Sequence, residues 1–479
     1  MKRGIFIGGW NSPIYNAIKA YAGSGAIPFH MPGHKLGQGI PPELLDNIAA
    51  LDLTEIPGMD NLRHPSGIIK EAQELAAAAF GAVRSYFIVN GSTCGIHAVI
   101  MSVCRPGDSL IVSRDCHKSV IGGMMLAGVN PVYILPEFDS DFGIHLGVLP
   151  DKVEEALDAN PGAIGVLLTR PNYYGICSDI ERIAQIVHSH GKILIVDEAH
   201  GSHLRFNKRL PICAMDAGAD ICVQSAHKTL PAFTQSAYLH IGSAAVDTDR
   251  LEFNLDILQT SSPSYILMAF LDLAREIMQR EGSERLDILL DEICFYKASF
   301  NPGNIIFLDD RKFDEFVTDS TRITVNVRNL GITGYETEKA LRRLENIQIE
   351  MSDFFNIVCI ATVSDSRDNL KRLFSCLHGL DERFSGNNRL NGPVYTGIKI
   401  PVQKLCLKDA MQRKRCNVGL SRAAGMISGG IVAPYPPGIP VLFPGEVIFP
   451  ETVELLLDII SSGGIVDGLD KNLEIKVIE

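Results

Sequence analysis

Short apolar runs recur through the first half of the chain, at residues 85–89, 109–113, 132–135, 163–169, 193–196, 221–224 and 237–241, each about the length of a strand. Between several of them the period becomes helical. Ile68, Ala72, Leu75 and Ala79 fall on one helical face, and residues 96–103 continue as a second helical segment. Lys192-Ile193-Leu194-Ile195-Val196 and Ala219-Asp220-Ile221-Cys222-Val223 show no alternation of polar and apolar positions, as expected of strands buried on both faces. Strands alternating with helices predict an α/β domain built on a mostly parallel sheet. A helical pattern over residues 264–279 closes that domain.

After about residue 300 the rhythm changes. Strand-like runs at 323–327, 347–351 and 356–363, with helical patterns at 335–344 and 368–377, predict a smaller α+β domain with partly antiparallel pairing. The polar stretch 381–392 reads as a linker, and the remainder carries a proline-rich turn at 434–440 with Pro444-Gly445-Glu446 behind it. The expected division is an N-terminal arm over 1–67, a large domain over 68–300, a small α+β domain over 301–380 and a C-terminal domain over 390–479. A length of 479 residues accommodates two or three cores.

Composition narrows the function classes. With 44 basic against 56 acidic residues the formal charge is −12, which disfavours non-specific nucleic-acid binding and suits a cationic small molecule. Arg413-Lys414-Arg415 is too short to change this and reads as a solvated face. No run approaches the roughly 20 apolar residues that span a bilayer. Met1 to Ile7 are basic then apolar, but Asn11, Ser12 and Pro13 interrupt them before an export signal could form, so a cytoplasmic chain is expected. Eleven cysteines without CxxC pairs argue against a disulfide framework and against a zinc site. Cys104, Cys222, Cys294 and Cys359 lie in apolar runs and read as small hydrophobes.

Two of the strand ends carry chemistry. Val196-Asp197-Glu198-Ala199-His200 supplies a carboxylate and Gln224-Ser225-Ala226-His227-Lys228 an amine. Pyridoxal 5'-phosphate (PLP) needs that pair: a lysine to hold its aldehyde as a Schiff base, and a carboxylate to keep its pyridine nitrogen protonated so that the ring withdraws electrons. Taken alone, each has a plain reading, Lys228 as a surface charge and Asp197 as a helix N-cap. A third element favours the chemical reading. The strand at 85–89 runs into Asn90-Gly91-Ser92-Thr93-Cys94-Gly95 and then a helix, and such a turn presents free N–H groups and hydroxyls to a phosphate.

Six ordered motifs, Phe29-His30-Met31-Pro32-Gly33-His34-Lys35, Gly91-Ser92-Thr93-x-Gly95, Asp115-Cys116-His117-Lys118-Ser119, Asp197-Glu198-Ala199-His200-Gly201, Ser225-Ala226-His227-Lys228 and Pro434-Tyr435-Pro436-Pro437-Gly438-Ile439-Pro440, resemble the Orn/Lys/Arg decarboxylases of PLP fold type I. The likeness is to the short members without an N-terminal wing domain. It implies an aspartate-aminotransferase-like α/β fold, PLP as cofactor and at least a homodimer with active sites between subunits. It also implies roles: Lys228 as the Schiff-base lysine, Asp197 as the pyridinium partner, and Gly91, Ser92, Thr93, Ser225 and His227 around the phosphate. His117 would stack on the ring, with His200 beside the cofactor. His117 also has a plain reading as part of a polar helix start. Thr260-Ser261-Ser262-Pro263 resembles a segment that reaches the neighbouring subunit's phosphate.

The implied reaction is decarboxylation of arginine, lysine or ornithine to agmatine, cadaverine or putrescine and CO2, the amines of polyamine biosynthesis, with Lys228 or His117 returning the proton. A cationic side chain entering a partly dry pocket needs a carboxylate. The candidates are Asp52, Glu55 and Asp60 in the loop-rich arm and Glu446 after the Pro-Gly turn. An aminotransferase or lyase would use the same lysine and aspartate, usually with an arginine clamping the substrate carboxylate. Sequence excludes no arginine, and Arg170, straight after the strand at 163–169, is the one to watch. A non-catalytic PLP-binding protein is the third reading.

Overall fold

The computed structural model describes residues 12–479 apart from 47, 299, 301–302, 311–312, 385, 387, 392–399 and 436–437, and residue 310 by its backbone alone. The basic-apolar start, Pro436 and Pro437, and part of the polar stretch at 381–392 therefore lie outside the described residues.

All seven apolar runs pair into one sheet. Its strands, β1 (Arg84–Ile88), β2 (Ser109–Ser113), β3 (Asn130–Ile134), β4 (Gly165–Thr169), β5 (Ile193–Asp197), β6 (Ile221–Gln224) and β7 (Ala237–Ile241), lie in the order β1-β7-β6-β5-β4-β2-β3. β7 runs antiparallel to both of its neighbours, and the other pairs are parallel. Each strand feeds two cores, because successive side chains point to opposite faces. Leu194 and Val196 of β5 enter one core and Ile195 the other; Cys222 of β6 enters the first, Ile221 and Val223 the second. Helices Gly91–Val103 (α1) and Lys118–Ala127 (α2) cover the second face, while helices Ile68–Phe80, Ile180–Ser189 and Tyr265–Ile277 cover the first. This two-sided burial is the reason the strands read as unbroken apolar runs.

The same topology gathers the polar strand ends. With β1, β2, β4, β5 and β6 pointing one way, their carboxyl ends form one rim, where open α/β sheets hold ligands. Register fixes the level: Asp197 lies opposite Thr169 on β4 and Val223 on β6.

The smaller sheet is antiparallel throughout, with order Ile306–Phe307, Arg322–Asn326, Asn356–Ile360, Met351–Ser352. Helix Gly334–Glu345, opened by a reciprocal Thr333–Glu336 cap, and helix Arg367–Arg383 pack with it. The single strand expected over 347–351 is divided: Ile347–Ile349 pairs in parallel with Ile27–Phe29 of the arm, and Met351–Ser352 joins the small sheet. Farther on, Arg415–Gly419 pairs with Glu474–Ile478 and Ala433–Tyr435 with Ile465–Asp467, around a separate core that includes Leu420, Ile448 and Leu456.

Several details differ from the sequence expectation. Helix Ile68–Phe80 keeps part of the expected face inward: Ala72 and Ala79 are buried, together with Ile69, Ala76 and Phe80, whereas Ile68 is 51% and Leu75 43% exposed. Ile69 takes the inward place expected of Ile68, so the buried stripe is displaced by about one residue at its start. Helix α1 begins at Gly91, not at residue 96, and the helix before the expected linker continues to Arg383. Cys294 is exposed, unlike Cys104, Cys222 and Cys359. Among the described residues no helix is long and apolar enough to cross a membrane, and no group of three or more His, Cys, Asp or Glu is placed to hold a metal ion.

Candidate active site

The ends of β5 and β6 place a carboxylate and an amine in one buried space. Asp197 is 3% exposed, and its Oδ1 accepts from the backbone N–H of Ala199 at 3.2 Å. Burial pushes its pKa up, against the opposing pull of the Lys228 charge and that N–H. One turn into the short helix Ala226–Thr229, Lys228 stands with Nζ 3.0 Å from His200 Nε2. Burial lowers the Lys228 pKa to about 8, even though Asp197 and Glu350 favour its charge; Arg322 disfavours it. Nucleophilic amines are made in this way, by holding a lysine where its charge is poorly solvated.

The β1 end supplies the anion site. Gly91, with φ +78°, turns the chain from strand into helix in the left-handed region that glycine enters without strain. Ser92 and Thr93 follow in the first turn of α1, where N–H groups have no helical partner. Ser225 Oγ donates to Ser92 Oγ at 2.8 Å, which joins the β6 loop to this turn. Gly95 lets α1 lie against the sheet, since a Cβ there would stand 3.0 Å from Val223 Cγ1. His227 Nδ1 lies 3.0 Å from the carbonyl oxygen of Ser236, and burial lowers the His227 pKa to about 4.

His117 is both a helix cap and a ring at the site. Its Nδ1 accepts from the Ser119 N–H at 3.2 Å and so caps α2. Burial first, then the charges of Lys228 and Lys118, lower its pKa to about 4, so the ring is neutral at pH 7. The plain reading of His117 as part of a polar helix start thus holds.

The arm motif closes this space from the other side. Gly33 N donates to His227 O at 2.7 Å, and a Cβ on Gly33 would stand 2.6 Å from Leu230 O. No other residue type fits so close to the backbone that carries Lys228. Lys35 is fully buried, pairs with Asp365 at 3.6 Å and donates to Ile360 O at 2.7 Å and His30 O at 3.1 Å. It therefore ties the arm to the small sheet and to the loop that follows it.

Two of the four acids expected near a substrate head group have other partners. Both oxygens of Asp60 are taken by backbone N–H groups, Oδ1 by Asn61 and Ser66 and Oδ2 by Gly67 and Ile69, at 2.8–3.0 Å. Partial burial opposes ionisation, but these donors prevail and hold the carboxyl at about 2. Asp60 thus fastens the start of helix Ile68–Phe80. Glu446 is fully buried in an ion pair with Arg114 at 3.1 Å and accepts from Phe443 N at 2.6 Å. Its position after the Pro-Gly turn turns it inward to the C-terminal domain contact, not toward a ligand. Asp52 is exposed and Glu55 half-buried; Glu55 Oε2 accepts from Thr54 Oγ1 at 2.7 Å. Thr260 and Ser261 are exposed, with Thr260 N donating to Asn90 Oδ1 at 3.2 Å, beside the same chain's anion turn.

Arg170, placed by sequence to clamp a carboxylate, is spent on structure. Nε donates to Ser178 O at 3.0 Å, Nη1 to Ile212 O at 2.6 Å, and the guanidinium lies 3.7 Å from Glu198. The arginine that does reach the site is Arg322, from the small sheet, whose Nη2 donates to His200 Nδ1 at 2.9 Å. Tyr173, with its ring 5.0 Å from that of His200, and Glu350, whose charge acts on Lys228, are further members that sequence reasoning missed. An arginine opening a strand and a tyrosine in a Pro-Asn-Tyr-Tyr loop carry no local mark of function.

With this geometry in hand, comparisons with known proteins are specific. The family model described as Orn/Lys/Arg decarboxylase, major domain, matches residues 12–301, and the one described as Orn/Lys/Arg decarboxylase, C-terminal domain, matches residues 402–461. A Bacillus anthracis protein named arginine decarboxylase is 36% identical over 471 residues, 96% of this chain and 95% of that one. A Bacillus cereus protein of the same name is 37% identical over 450 residues, 91% and 97% of the two chains. Among solved structures, lysine decarboxylase A from Pseudomonas aeruginosa superposes with a TM-score of 0.78 at 19% identity, covering 98% of this chain and 80% of that one, a likeness of fold: PLP fold type I. By the extent of these matches and the motifs that carry them, the chain belongs to the Orn/Lys/Arg decarboxylase family.

Proposed function

We propose that the protein removes the α-carboxylate of a basic amino acid with PLP, and that arginine is its preferred substrate. The observation that carries this reading is the half-buried Lys228 and the buried Asp197 at adjacent strand ends, with the Lys228 pKa lowered to about 8. The donor set suits PLP: an amine for its aldehyde, a buried carboxylate whose Oδ2 is free among the described residues, and the Ser92 and Ser225 hydroxyls at a helix start for its phosphate. When bound, PLP supplies an electron sink that lets the bond from Cα to the carboxylate break.

The chain's own groups do the rest. Asp197 would keep the pyridine nitrogen of the cofactor charged, and Gly91, Ser92, Thr93, Ser225 and His227 would hold its phosphate. His117, neutral and with Nδ1 committed to Ser119, is suited to pack flat against a ring, so Lys228 Nζ is the better donor of the proton to Cα. Of the acids proposed for the substrate head group, Asp52 and Glu55 remain uncommitted to a buried network. Arginine is favoured because four relatives that match over nine tenths of the chain carry that name. The four units expected from the sequence, the arm, the two α/β-type domains and the C-terminal domain, and a homodimer with Thr260 and Ser261 at the neighbouring site, belong to the same reading; sedimentation equilibrium giving a monomer during turnover would remove the dimer.

The direct test incubates PLP-loaded protein with arginine, lysine and ornithine separately and measures amine and CO2. Agmatine should form with the highest kcat/KM, and Lys228→Ala should form none of the three amines. Formation of a 2-oxo acid without CO2 would make the enzyme an aminotransferase, and cadaverine or putrescine ahead of agmatine would overturn the substrate.

A further inference from the structure

We propose that Arg322 is a positioning residue that, through the ring of His200, holds Lys228 as a neutral amine before any cofactor binds. The inference rests on the reading of Lys228 as the reactive amine and on proton counting along three residues. Arg322 Nη2 donates to His200 Nδ1 at 2.9 Å, and His200 Nε2 is 3.0 Å from Lys228 Nζ. A guanidinium has donors only, so Nδ1 must be the accepting, unprotonated nitrogen. A neutral imidazole then carries its single proton on Nε2. That N–H points at Lys228, and Nζ can accept it only with a free lone pair. An ammonium at Lys228 would have three donors and no acceptor, and would set two N–H groups against each other.

The surroundings keep the relay in this state. His200 is fully buried in effect, and burial, then the charges of Lys228 and Arg322, with His117 and His227 behind them, hold its pKa well below the ordinary value, so it does not take a second proton. Arg322 is 3% exposed; burial lowers its pKa, while Asp319 and Glu350 favour its charge. Its Nε and Nη1 have no hydrogen-bond partner among the described residues, so the bond to His200 is the one that fixes its orientation. Asp197 and Glu350 act on Lys228 in the opposite sense, toward the ammonium. The relay offsets them and raises the share of neutral, nucleophilic amine near neutral pH, and it joins the small sheet to the reactive amine of the large one.

The test uses the apoprotein and pyridoxal as a probe. Nζ adds to the aldehyde carbon, water leaves, and borohydride reduces the resulting C=N bond to a stable secondary amine, whose place on the chain is found by peptide mass spectrometry. The trapping rate against pH reports the neutral fraction of Lys228. In the wild type the rate should rise with a midpoint near pH 8 and level off about one to two units above it. In Arg322→Met and in His200→Phe the midpoint should rise by at least about one unit, so that trapping at pH 7 falls about tenfold or more. His200→Phe separates the relay from simple charge and burial: both residues are uncharged and the phenyl ring is the more apolar, so without the relay the midpoint would stay or fall. Nitrogen-15 chemical shifts of the His200 ring, assigned by their loss in His200→Phe, give a second readout that does not depend on trapping. The proposal requires a bare Nδ1 and a protonated Nε2 in the wild type, and a proton on Nδ1 overturns it. An unchanged trapping profile in His200→Phe also overturns it. If no adduct forms at Lys228 at any pH while the Nε2–H tautomer is present, the relay stands and the reading of Lys228 as the cofactor's anchor fails.

Discussion

Arg114 and Glu446 offer a quantitative test of how the C-terminal domain is fastened to the site. Both side chains are fully buried. The guanidinium donates to Glu446 Oε2 at 3.1 Å, Pro440 O at 2.9 Å and Val441 O at 3.1 Å, and it lies 4.0 Å from the Phe443 ring centroid. Arg114→Met leaves the Glu446 carboxylate buried with Phe443 N at 2.6 Å as its remaining donor. Removing one partner of such a pair costs about 3–5 kcal/mol. Part of that loss is titratable. Burial already pushes Glu446 up to about 7 although Arg114 pulls it down, and without Arg114 it rises further. A carboxyl whose folded pKa exceeds its unfolded value of about 4.3 binds its proton more tightly in the folded state, so stability falls as pH climbs from there to the folded value. In the wild type that decline ends near pH 7; in Arg114→Met it continues above, at about 1.4 kcal/mol per unit.

The cost of Arg114→Met should therefore be larger at pH 8 than at pH 6. Arg114→Met/Glu446→Gln should recover at least about 2 kcal/mol relative to the sum of the two single changes. Hydrogen exchange at the amides of Val441, Leu442 and Phe443 is the suitable assay, because a chain with separate cores need not unfold in one step. Additive single changes, or a cost that does not vary with pH, would refute the reasoning. The contact matters to the site because Arg114 opens the loop that ends in His117.

Two further outcomes follow from the site itself. Asp197→Asn keeps the shape but removes the charge beside a bound pyridine nitrogen, and should lower kcat by at least about a hundredfold, on the order of 3 kcal/mol; an unchanged kcat would place the carboxylate elsewhere. Gly33→Ala should push the backbone of Thr229 and Leu230 away at a cost of about 1–3 kcal/mol and weaken PLP binding at least about tenfold in an absorbance titration, and wild-type affinity would show that the arm does not set the position of Lys228.

Much of the fold and part of the site were legible because their signals are local. Strands buried on both faces must be apolar at every position, so the inner strands could be read from the chain, the half-buried edge strand Asn130–Ile134 showed as a shorter apolar run, and strand ends followed by Asp-Glu-Ala-His and Ser-Ala-His-Lys stand out as polar breaks in apolar runs. Helix faces were less legible. The expected face over Ile68 and Leu75 was off by about one residue, since alanines leave the stripe poorly marked.

The sequence by itself determined the strand-helix order, the family motifs and the identity of Asp197, Lys228, Ser92 and Ser225 as the residues to watch. Only the tertiary structure decided which arginine and which acids could matter. Arg170 and Arg322 look alike in the chain, yet one is engaged by Ser178 O and Ile212 O and the other reaches His200 from the smaller sheet. Asp60 and Glu446 likewise sit in loops like those that hold ligands, and are consumed by backbone N–H groups and by Arg114. The reason is physical: strand and helix signals come from neighbours in sequence, whereas the fate of a charge depends on which distant donors share its burial.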